Sequence, residues 1–543
     1  MLRAGSLFTF GGGAGDDMRA VKRFVLGSAA ALVAMGGAQA ADLPVKAKAV
    51  EYVRICSPYG AGFYYIPGTD TCIKLGGYLR VDVLANTNTD DTGNVFGQGA
   101  AKNRYTNGYT WRSREDLTID TRTQTEYGLL RTFTFLTFSW NTDSYLGTGT
   151  GATVYSPIGP FPFGPAPNNA SQGAVAAGSA FLAAFIQFAG FTIGKAISDF
   201  SMPWTNYPGN IFDGLVGGGG AVTTVNQFTY TAQFGNGVSA SISAQDQAAY
   251  YQAGVANLGA LGPLGNALGA TGPFGASDYA GTIAPDIVAS VDVRQAWGEV
   301  KLSAVAHDNH VAYYGATEPS GHPDDKWGWA AQLGFTFKNL PTGPGDVINI
   351  SGVYTNGATR YNIQDLASQF GSVLLYGGTG LAGAYQSVAL AVAPDSVFGA
   401  GTEQQLIQTW GMRGGYTHNW NPNWNSSIYG AWASVQYNGT AKTMICGNGV
   451  VPGAIQAALT SAATRTAITT CNPDYSIAQA GFITRWTPVK GLTFAADFTW
   501  QHIDQKNVGT INAANVTIGK PVAAYELKNQ DNVLLLLRAQ RNW

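Results

Sequence analysis

The sequence of 543 residues has little charge, since only 12% of its residues are Asp, Glu, Lys or Arg. A soluble domain normally carries about a quarter charged residues. The mean hydropathy of −0.01 is also too low for a bundle of membrane helices, which needs repeated apolar stretches of about 20 residues. The formal net charge of −2 lacks the basic footprint of nucleic-acid binding, so no nucleic-acid partner is expected.

The first 40 residues read as a targeting region. Residues 18–23 (MRAVKR) are basic, residues 24–35 are mostly apolar, and AQA at residues 38–40 offers small residues for cleavage. We interpret residues 18–40 as a signal peptide, with an N-terminal membrane anchor as the alternative. Residues 1–17 are interpreted as a non-native or mis-started extension, and residues 41–543 as a single exported domain.

Period-2 alternation recurs at both ends of this domain. Between residues 73 and 83 apolar side chains alternate with polar ones that include Lys74, Arg80 and Asp82, and residues 492–501 repeat the pattern. The polar positions are rich in Thr, Gln, Asn and Gly, whereas a solvent-facing strand usually carries Lys and Glu. The pattern therefore favours a transmembrane barrel with apolar side chains outside and polar ones inside, rather than a soluble β-sandwich.

Connection lengths are asymmetric, as in outer-membrane barrels with short periplasmic turns and long external loops. Short links are predicted at residues 121–127, 339–346, 421–424 and 488–491. Long loops are predicted at residues 87–107, 147–180, 255–283 and 362–402. We therefore predict an all-β fold, a transmembrane antiparallel β-barrel of about 16 strands.

One uncharged stretch, residues 173–191, is long enough to be a membrane helix. Its glycines, Gln187 and the aromatic end at residues 185–191 instead favour a strand entered from a small-residue loop. Arg131 shares its face with two phenylalanines and is expected to extend to an interface. The terminal Trp543 is expected in an aromatic girdle.

The four cysteines form two pairs that are local in sequence, as expected for disulfides in an oxidising compartment. A barrel favours Cys56 with Cys72 and Cys446 with Cys471, although four cysteines permit other connectivities. Neither Cys-x-x-Cys nor His-x-x-x-His spacing occurs, so no metal or other cofactor is expected.

Several blocks of the mature chain resemble the alphaproteobacterial trimeric outer-membrane porins. They include TQTEYG at residues 123–128 and PDDKWGW at residues 323–329. The others lie at residues 50–56, 59–72, 185–195, 285–288, 295–298 and 486–491. The resemblance implies 16 strands, three barrels per assembly and an external loop that folds into each pore.

In that family the constricting loop follows the strand that resembles residues 185–195, which places it at about residues 197–220. The resemblance thus assigns Asp199, Asp213, Trp204 and Tyr207 to the constriction. Facing them, the pore wall is expected to carry Lys74, Arg80, Asp82, Arg112 and Arg114. Opposed charges would create a transverse field that orients solutes.

The expected function is therefore a water-filled channel for small hydrophilic solutes and ions in the outer membrane of a Gram-negative bacterium. Membrane lipid, lipopolysaccharide and two further copies of the chain are the expected partners. A substrate-selective channel, for example for sugars or anions, remains an alternative. A gated, plugged transporter would need a folded plug before the first strand, and residues 41–71 are too short. A barrel-embedded enzyme is disfavoured, because no Gly-x-Ser-x-Gly or His-Glu-x-x-His motif accompanies the five histidines.

Overall fold

A computed structural model describes residues 54–87, 109–142, 175–202, 215–219, 223–248, 252–258, 279–315, 317–363, 373–447, 467–515 and 520–543. The chain divides into two compact units, Met1–Arg54 and Ile55–Trp543. Nearly all of the described structure belongs to the second unit. The predicted signal peptide and the extension before it lie outside the described residues.

The described residues form a closed ring of 16 antiparallel strands, as predicted. The strands are β1 (Cys72–Asn86), β2 (Thr110–Thr125), β3 (Gly128–Thr142), β4 (Val175–Phe188), β5 (Phe191–Ile197), β6 (Thr224–Gly235), β7 (Val238–Gln245), β8 (Asp286–Gln295), β9 (Gly298–Asn309), β10 (Lys326–Lys338), β11 (Val347–Asn356), β12 (Gln408–Asn421), β13 (Trp424–Gln436), β14 (Tyr475–Val489), β15 (Leu492–Gln505) and β16 (Gln530–Asn542). Each strand pairs with its sequence neighbours, and β1 pairs with β16 to close the ring.

The remaining elements are short and lie outside the ring's own strands. The strands are Tyr64–Tyr65, Val255–Asn257, Val373–Gly377, Gln386–Ala391, Ser396–Phe398, Gln405–Leu406, Ala467–Thr470, Val508–Asn515 and Lys520–Leu527. Within the described ranges, single turns of 3-10 helix lie at Ser57–Tyr59, Glu318–Ser320 and Thr359–Tyr361. The helix α1 (Gly439–Cys446) begins at Asn438, whose side chain accepts a hydrogen bond from the Ala441 amide at 2.8 Å.

Short turns join the strands at one end of the barrel and long loops join them at the other. The predicted links at residues 121–127, 339–346, 421–424 and 488–491 all contain such turns. Three further turns follow β4, β6 and β8, and their Ala189-Gly190, Asn236-Gly237 and Ala296-Trp297 pairs were not predicted. At two of these turns Ala189 and Asn236 adopt positive φ angles, the left-handed conformation of tight hairpin connections.

The apolar-out rule holds on the strands from which it was inferred. On β1 Leu75 and Leu79 are 45% and 52% exposed, whereas the inward Asp82 is 3% exposed. On β15 the outward Phe498 is 49% exposed and the inward Asp497 is 1% exposed. The barrel thus presents its apolar side chains to the membrane and its polar side chains to the interior.

Exposed aromatic side chains mark both ends of the strands. Near the short turns lie Trp297, Trp420, Trp424, Trp486 and Trp543. Near the long loops lie Trp111, Trp327, Trp329, Trp410 and Trp500. Trp543 also exchanges backbone hydrogen bonds with Gly77 of β1, so the chain end helps to close the ring. These two belts match the aromatic girdles of membrane barrels.

The uncharged stretch at residues 173–191 contains a strand, and the helical alternative is wrong. Strand β4 begins at Val175, earlier than the predicted strand start at residue 185. The small residues Ala176, Ala177 and Gly178 pair with the backbone of β3, because ladder hydrogen bonds need no side chain. No helix within the described ranges is long and apolar enough to cross a membrane.

Both predicted disulfides are present. Cys56 pairs with Cys72 across a Cα–Cα distance of 6.0 Å, and Cys446 pairs with Cys471 across 5.7 Å. The first ties the segment before β1 to the start of that strand. The second ties the end of α1 to the segment before β14 within one external loop.

The outward position of Phe498 predicts a clear effect of charge. Replacing Phe498 with Arg should lower the free energy of unfolding by about 2–4 kcal/mol, because a cation would lie in the apolar band of the membrane. Denaturant unfolding in lipid vesicles measures this change. Phe498→Leu is the matched control and should cost less than about 1.5 kcal/mol. Equal stabilities of the Arg and Leu variants would contradict a lipid-facing Phe498.

Candidate functional site

A row of charged side chains crosses the inner faces of β16, β1 and β2. The register places Asp82 of β1 directly opposite Arg112 of β2 and Arg538 of β16. The Asp82 carboxylate accepts hydrogen bonds from Arg112 Nε at 2.9 Å and from Arg538 Nε at 2.7 Å. Charge-assisted bonds of this kind fix side-chain geometry firmly. Because one carboxylate lies between two guanidinium groups, the row carries an excess of positive charge.

A second row lies one step closer to the short turns. Arg80 of β1 is directly opposite Arg114 of β2. Arg80 Nε donates to Gln540 Oε1 at 2.8 Å, and the Arg80 guanidinium lies 4.2 Å from the ring centre of Tyr78. Arg114 Nε donates to Ser139 Oγ at 2.9 Å. Like charges opposite each other are normally unfavourable in a sheet, and here neutral groups orient both side chains.

We call the inner faces of β16, β1 and β2 the basic arc. Basic side chains outnumber acidic ones there, and all five residues predicted for the pore wall lie on it. The described charged members are Lys74, Arg80, Asp82, Arg112, Arg114, Asp116, Asp120, Arg122 and Arg538. Arg538 was not identified from the sequence, because the run of leucines before it obscures the alternation that places it inside.

The inner wall at the short-turn end combines aromatic and basic side chains. Arg131 of β3 donates through Nε to Asp120 Oδ1 at 3.0 Å and through Nη1 to Gln187 Oε1 at 2.9 Å. Its guanidinium lies 5.1 Å from the ring centre of Phe133 and 5.7 Å from that of Phe185. The expectation that Arg131 extends to a membrane interface is therefore wrong. Its inward acid partner determines its direction, and the neighbouring phenylalanines face inward with it.

The loop between β5 and β6 enters the barrel. At its start Ser198 Oγ donates to Gln245 Oε1 at 2.8 Å, and Lys301 Nζ of β9 donates to the Ser201 carbonyl at 2.9 Å. Ser241 of β7 and Ser290 of β8 donate hydroxyl hydrogen bonds to the Asp199 carboxylate at 2.8 and 3.1 Å. These contacts hold the loop against β7, β8 and β9.

The far end of the same loop, residues 215–219, contacts another part of the wall. Arg413 of β12 donates through its two terminal nitrogens to the carbonyls of Gly218 and Gly219. Gln479 of β14 accepts a hydrogen bond from the Val216 amide at 2.9 Å. Gly218 has a φ of +119°, and a Cβ there would lie 2.1 Å from the side-chain nitrogen of Gln332. Glycine is therefore required where the loop backbone meets the wall.

Asp199 and the basic arc do not meet. The hydroxyl partners of Asp199 lie on β7 and β8, about half-way round the ring from β1. Asp213, Trp204 and Tyr207 lie outside the described residues. Asn362 Oδ1 also accepts a hydrogen bond from the Gly217 amide at 3.1 Å. Sequence reasoning missed the residues that fix the loop, because Arg413, Gln479 and Asn362 each contact a segment far away in the chain.

The fold and this inward loop define a class of protein, the channel-forming barrel of the outer membrane. The sequence model described as "Porin subfamily" matches residues 42–536. The chain belongs to this porin family, which confirms the predicted alphaproteobacterial porin resemblance. It is an outer-membrane porin that forms a channel for passive diffusion.

Named relatives and a solved structure agree with this assignment. The chain is 33% identical to "Porin Omp2b" of Brucella suis over 298 residues, which cover 54% of this chain and 67% of the relative. It is 37% identical to "Porin Omp2a" of Brucella ovis over 225 residues, covering 41% and 58%. The outer membrane channel DcaP of Acinetobacter baumannii has a similar fold, with a TM-score of 0.50, 14% identity and coverage of 88% and 99%.

Proposed function

We propose that the chain is a general-diffusion pore whose conducting path follows the basic arc, with the loop between β5 and β6 as its constriction. The observation that carries this proposal is the separation of charge inside the barrel. Arginines concentrate on β16, β1 and β2. On the far side of the ring Asp199, Asp292 and Glu299 outnumber the neighbouring Lys301 and Arg294. Between low-dielectric walls such an arrangement produces a transverse field that orients solutes and biases ion passage. Anions concentrate beside the basic arc.

The charge separation predicts opposite shifts in ion preference for two sets of variants. Removing charge from the arc with Arg80→Gln and Arg114→Gln should move the reversal potential under a salt gradient toward cation preference. Asp199→Asn with Asp213→Asn should move it toward anion preference. Planar bilayer recordings at low salt measure both, because salt screens these interactions.

The matched control removes one positive charge at a position outside the pore. Arg541 donates to the Lys490 carbonyl at the short-turn rim and shares the outward parity of β16. Arg541→Gln should leave the reversal potential unchanged. If the arc variants also leave it unchanged while conductance persists, the conducting path does not follow the basic arc.

A substrate-selective channel is the second candidate function, and one observation favours it. Phe133 and Phe185 face inward with ring centres 5.4 Å apart, next to Arg131. Aromatic faces with a guanidinium suit a planar anion, which would stack and pair at once. Saturable block of ion current by a planar carboxylate such as benzoate, lost in Phe133→Ala with Phe185→Ala, would favour this candidate. Current that is insensitive to benzoate supports general diffusion.

We infer that the pair of His307 and Asp286 has a structural role in a channel and not an enzymatic one. His307 and Asp286 are fully buried, with His307 Nδ1 2.9 Å from Asp286 Oδ1. The hydroxyls of Tyr279 and Tyr361 occupy further positions around this pair. A pair enclosed in this way holds loops to the wall and has no access to substrate.

Three copies of the chain are the proposed assembly, and Glu115 supports it. Glu115 of β2 pairs across the strands with Leu79 and Phe138, which are exposed on the outer face. A carboxylate in the apolar band is unfavourable in lipid, and a neighbouring copy would cover it. The rest of the outer face contacts membrane lipid, and lipopolysaccharide lies at the external rim.

The assembly predicts a sensitive position at Glu115. Glu115→Lys should lower the temperature at which the trimer dissociates on unheated detergent gels, because it alters the proposed contact. Val291→Leu, on the outer face of β8 about half-way round the ring, is the control for a change away from the contact and should leave that temperature unchanged. Migration of the wild type as a monomer before heating would contradict the assembly.

A further inference from the structure

The inner face of the barrel is not polar throughout. On β13 to β16 and at the external end of β1, inward positions carry apolar side chains that are almost completely buried. They are Leu84, Ala431, Ala433, Val435, Ile477, Ile483, Ile503, Leu534 and Leu536. A water-filled lumen would expose such side chains at a cost of about 25 cal/mol for each Å² of apolar surface. Their burial means that other parts of the chain cover them.

Part of this cover comes from the long loop between β11 and β12. Residues 386–398, which we call the crossing segment, belong to this loop. Val388, Ala389 and Val397 within it have no exposed surface. The crossing segment forms a parallel pair with Lys520–Leu527 of the last external loop. It packs in the same hydrophobic cluster as Leu534 and Ile503 of the wall.

One end of the crossing segment is fixed to the external ends of β15 and β16. Gln505 of β15 donates through Nε2 to the Val388 carbonyl at 3.2 Å and accepts from the Leu390 amide at 3.3 Å. Gln530 of β16 donates to Ser387 Oγ at 2.8 Å. The contacts of Gln505 use backbone groups of the segment, so they fix its path and not merely its side chains.

The other end reaches a different part of the wall through Asp395. The Asp395 carboxylate is fully buried and accepts hydrogen bonds from the Ala253 amide at 2.8 Å and from Tyr279 Oη at 2.7 Å. It also accepts from the Thr359 amide, and His307 Nε2 of β9 lies 3.7 Å away. Burial, together with the adjacent Asp395 carboxylate, raises the pKa of Tyr279 well above its usual value. The phenol therefore remains a donor at neutral pH.

Asp395 contacts β9 through His307 and the ends of β11 and β12 through the Thr359 and Ile407 amides. These strands are between a quarter and nearly half of the way round the ring from β16, and residues 388–395 between the anchors can span about 23 Å when extended. The segment thus crosses the external mouth. The described end of the loop between β5 and β6 approaches the same hydrophobic cluster from lower in the barrel, through Leu215 and Val216.

We propose that the crossing segment is a second constriction, which divides the external mouth and sets the size limit for solutes, and that Asp395 is its positioning residue. The proposal rests on the channel function but not on the path along the basic arc. Solutes must pass beside the crossing segment to reach either wall. Loss of the Asp395 anchor would leave buried donors unpaired and free one end of the segment.

Cysteine labelling tests the position of the crossing segment directly. Ala393→Cys introduces a small thiol at a buried site two residues from Asp395, and the four native cysteines are all in disulfides. A membrane-impermeant maleimide should not label this thiol in the folded protein within minutes. The maleimide should label the thiol when the same variant also carries Asp395→Ala. Rapid labelling without Asp395→Ala would overturn the proposal, whatever the ion preference of the pore.

Conductance and solute exclusion test its effect on transport. Asp395→Ala should raise single-channel conductance about twofold and admit larger sugars in liposome swelling, because the narrowest section limits permeation. Asp395→Asn keeps the shape of the side chain but replaces one accepting oxygen with an NH₂ group that donates. This variant should show the same change to a smaller degree. The proposal would be overturned if the folded double variant Asp395→Ala with Ala393→Cys became open to labelling but kept the conductance and exclusion limit of the wild type.

Asp346→Asn is the matched control. Asp346 is also a fully buried carboxylate, in the short-turn connection before β11, and it accepts hydrogen bonds from Thr342, Tyr416 and the Asn419 amide. It lies at the end of the barrel away from the crossing segment. This variant should lose stability without changing conductance or exclusion limit. An equal rise in conductance for Asp346→Asn would show that general loosening, not the crossing segment, is responsible.

Discussion

Closure of the strand ladder is the constraint on which the rest of the molecule depends. In a membrane each unpaired backbone group costs several kcal/mol, so a sheet can cross it only when its first and last strands pair. Here β1 pairs with β16 from Tyr78 to Asn86, and Trp543 continues the contact through Gly77. This pairing also brings Arg538 next to Asp82, so the closure that satisfies the backbone assembles the basic arc as well.

Closure leaves an interior that the chain must divide between water and protein. The ring is wide enough for loops to enter. The type of inward side chain, charged or apolar, indicates which parts of the wall the loops cover. Arginines and aspartates line the inner face from β16 to β2, whereas alanine, valine, isoleucine and leucine line much of β13 to β16 near the external end. The apolar part has almost no exposed surface, because external loops pack on it. The channel is therefore asymmetric in cross-section.

Loops are held inside the barrel because buried polar side chains form hydrogen bonds with their backbone and side-chain groups. Arg413 donates to two loop carbonyls, and Asp395 accepts from amides and a phenol contributed by three different segments. Such groups are costly to bury alone and are stable only with all partners present. Each therefore selects one loop position. The size and charge of the remaining opening depend on these few residues more than on the strands.

The sequence by itself determined the barrel, the alternation on β1 and β15, the two disulfides and the family, because these depend on local pattern, spacing and residue type. It also placed Lys74, Arg80, Asp82, Arg112 and Arg114 on one face, since parity along a strand is a local property. Tertiary structure decided what lies against that face. Arg538 joins Asp82 through ring closure, Asp199 meets Ser241 and Ser290, and Arg131 turns inward to Asp120. The alternating pattern predicts that a side chain faces inward. It does not predict whether water or a loop covers that side chain, because this depends on contacts between residues hundreds of positions apart.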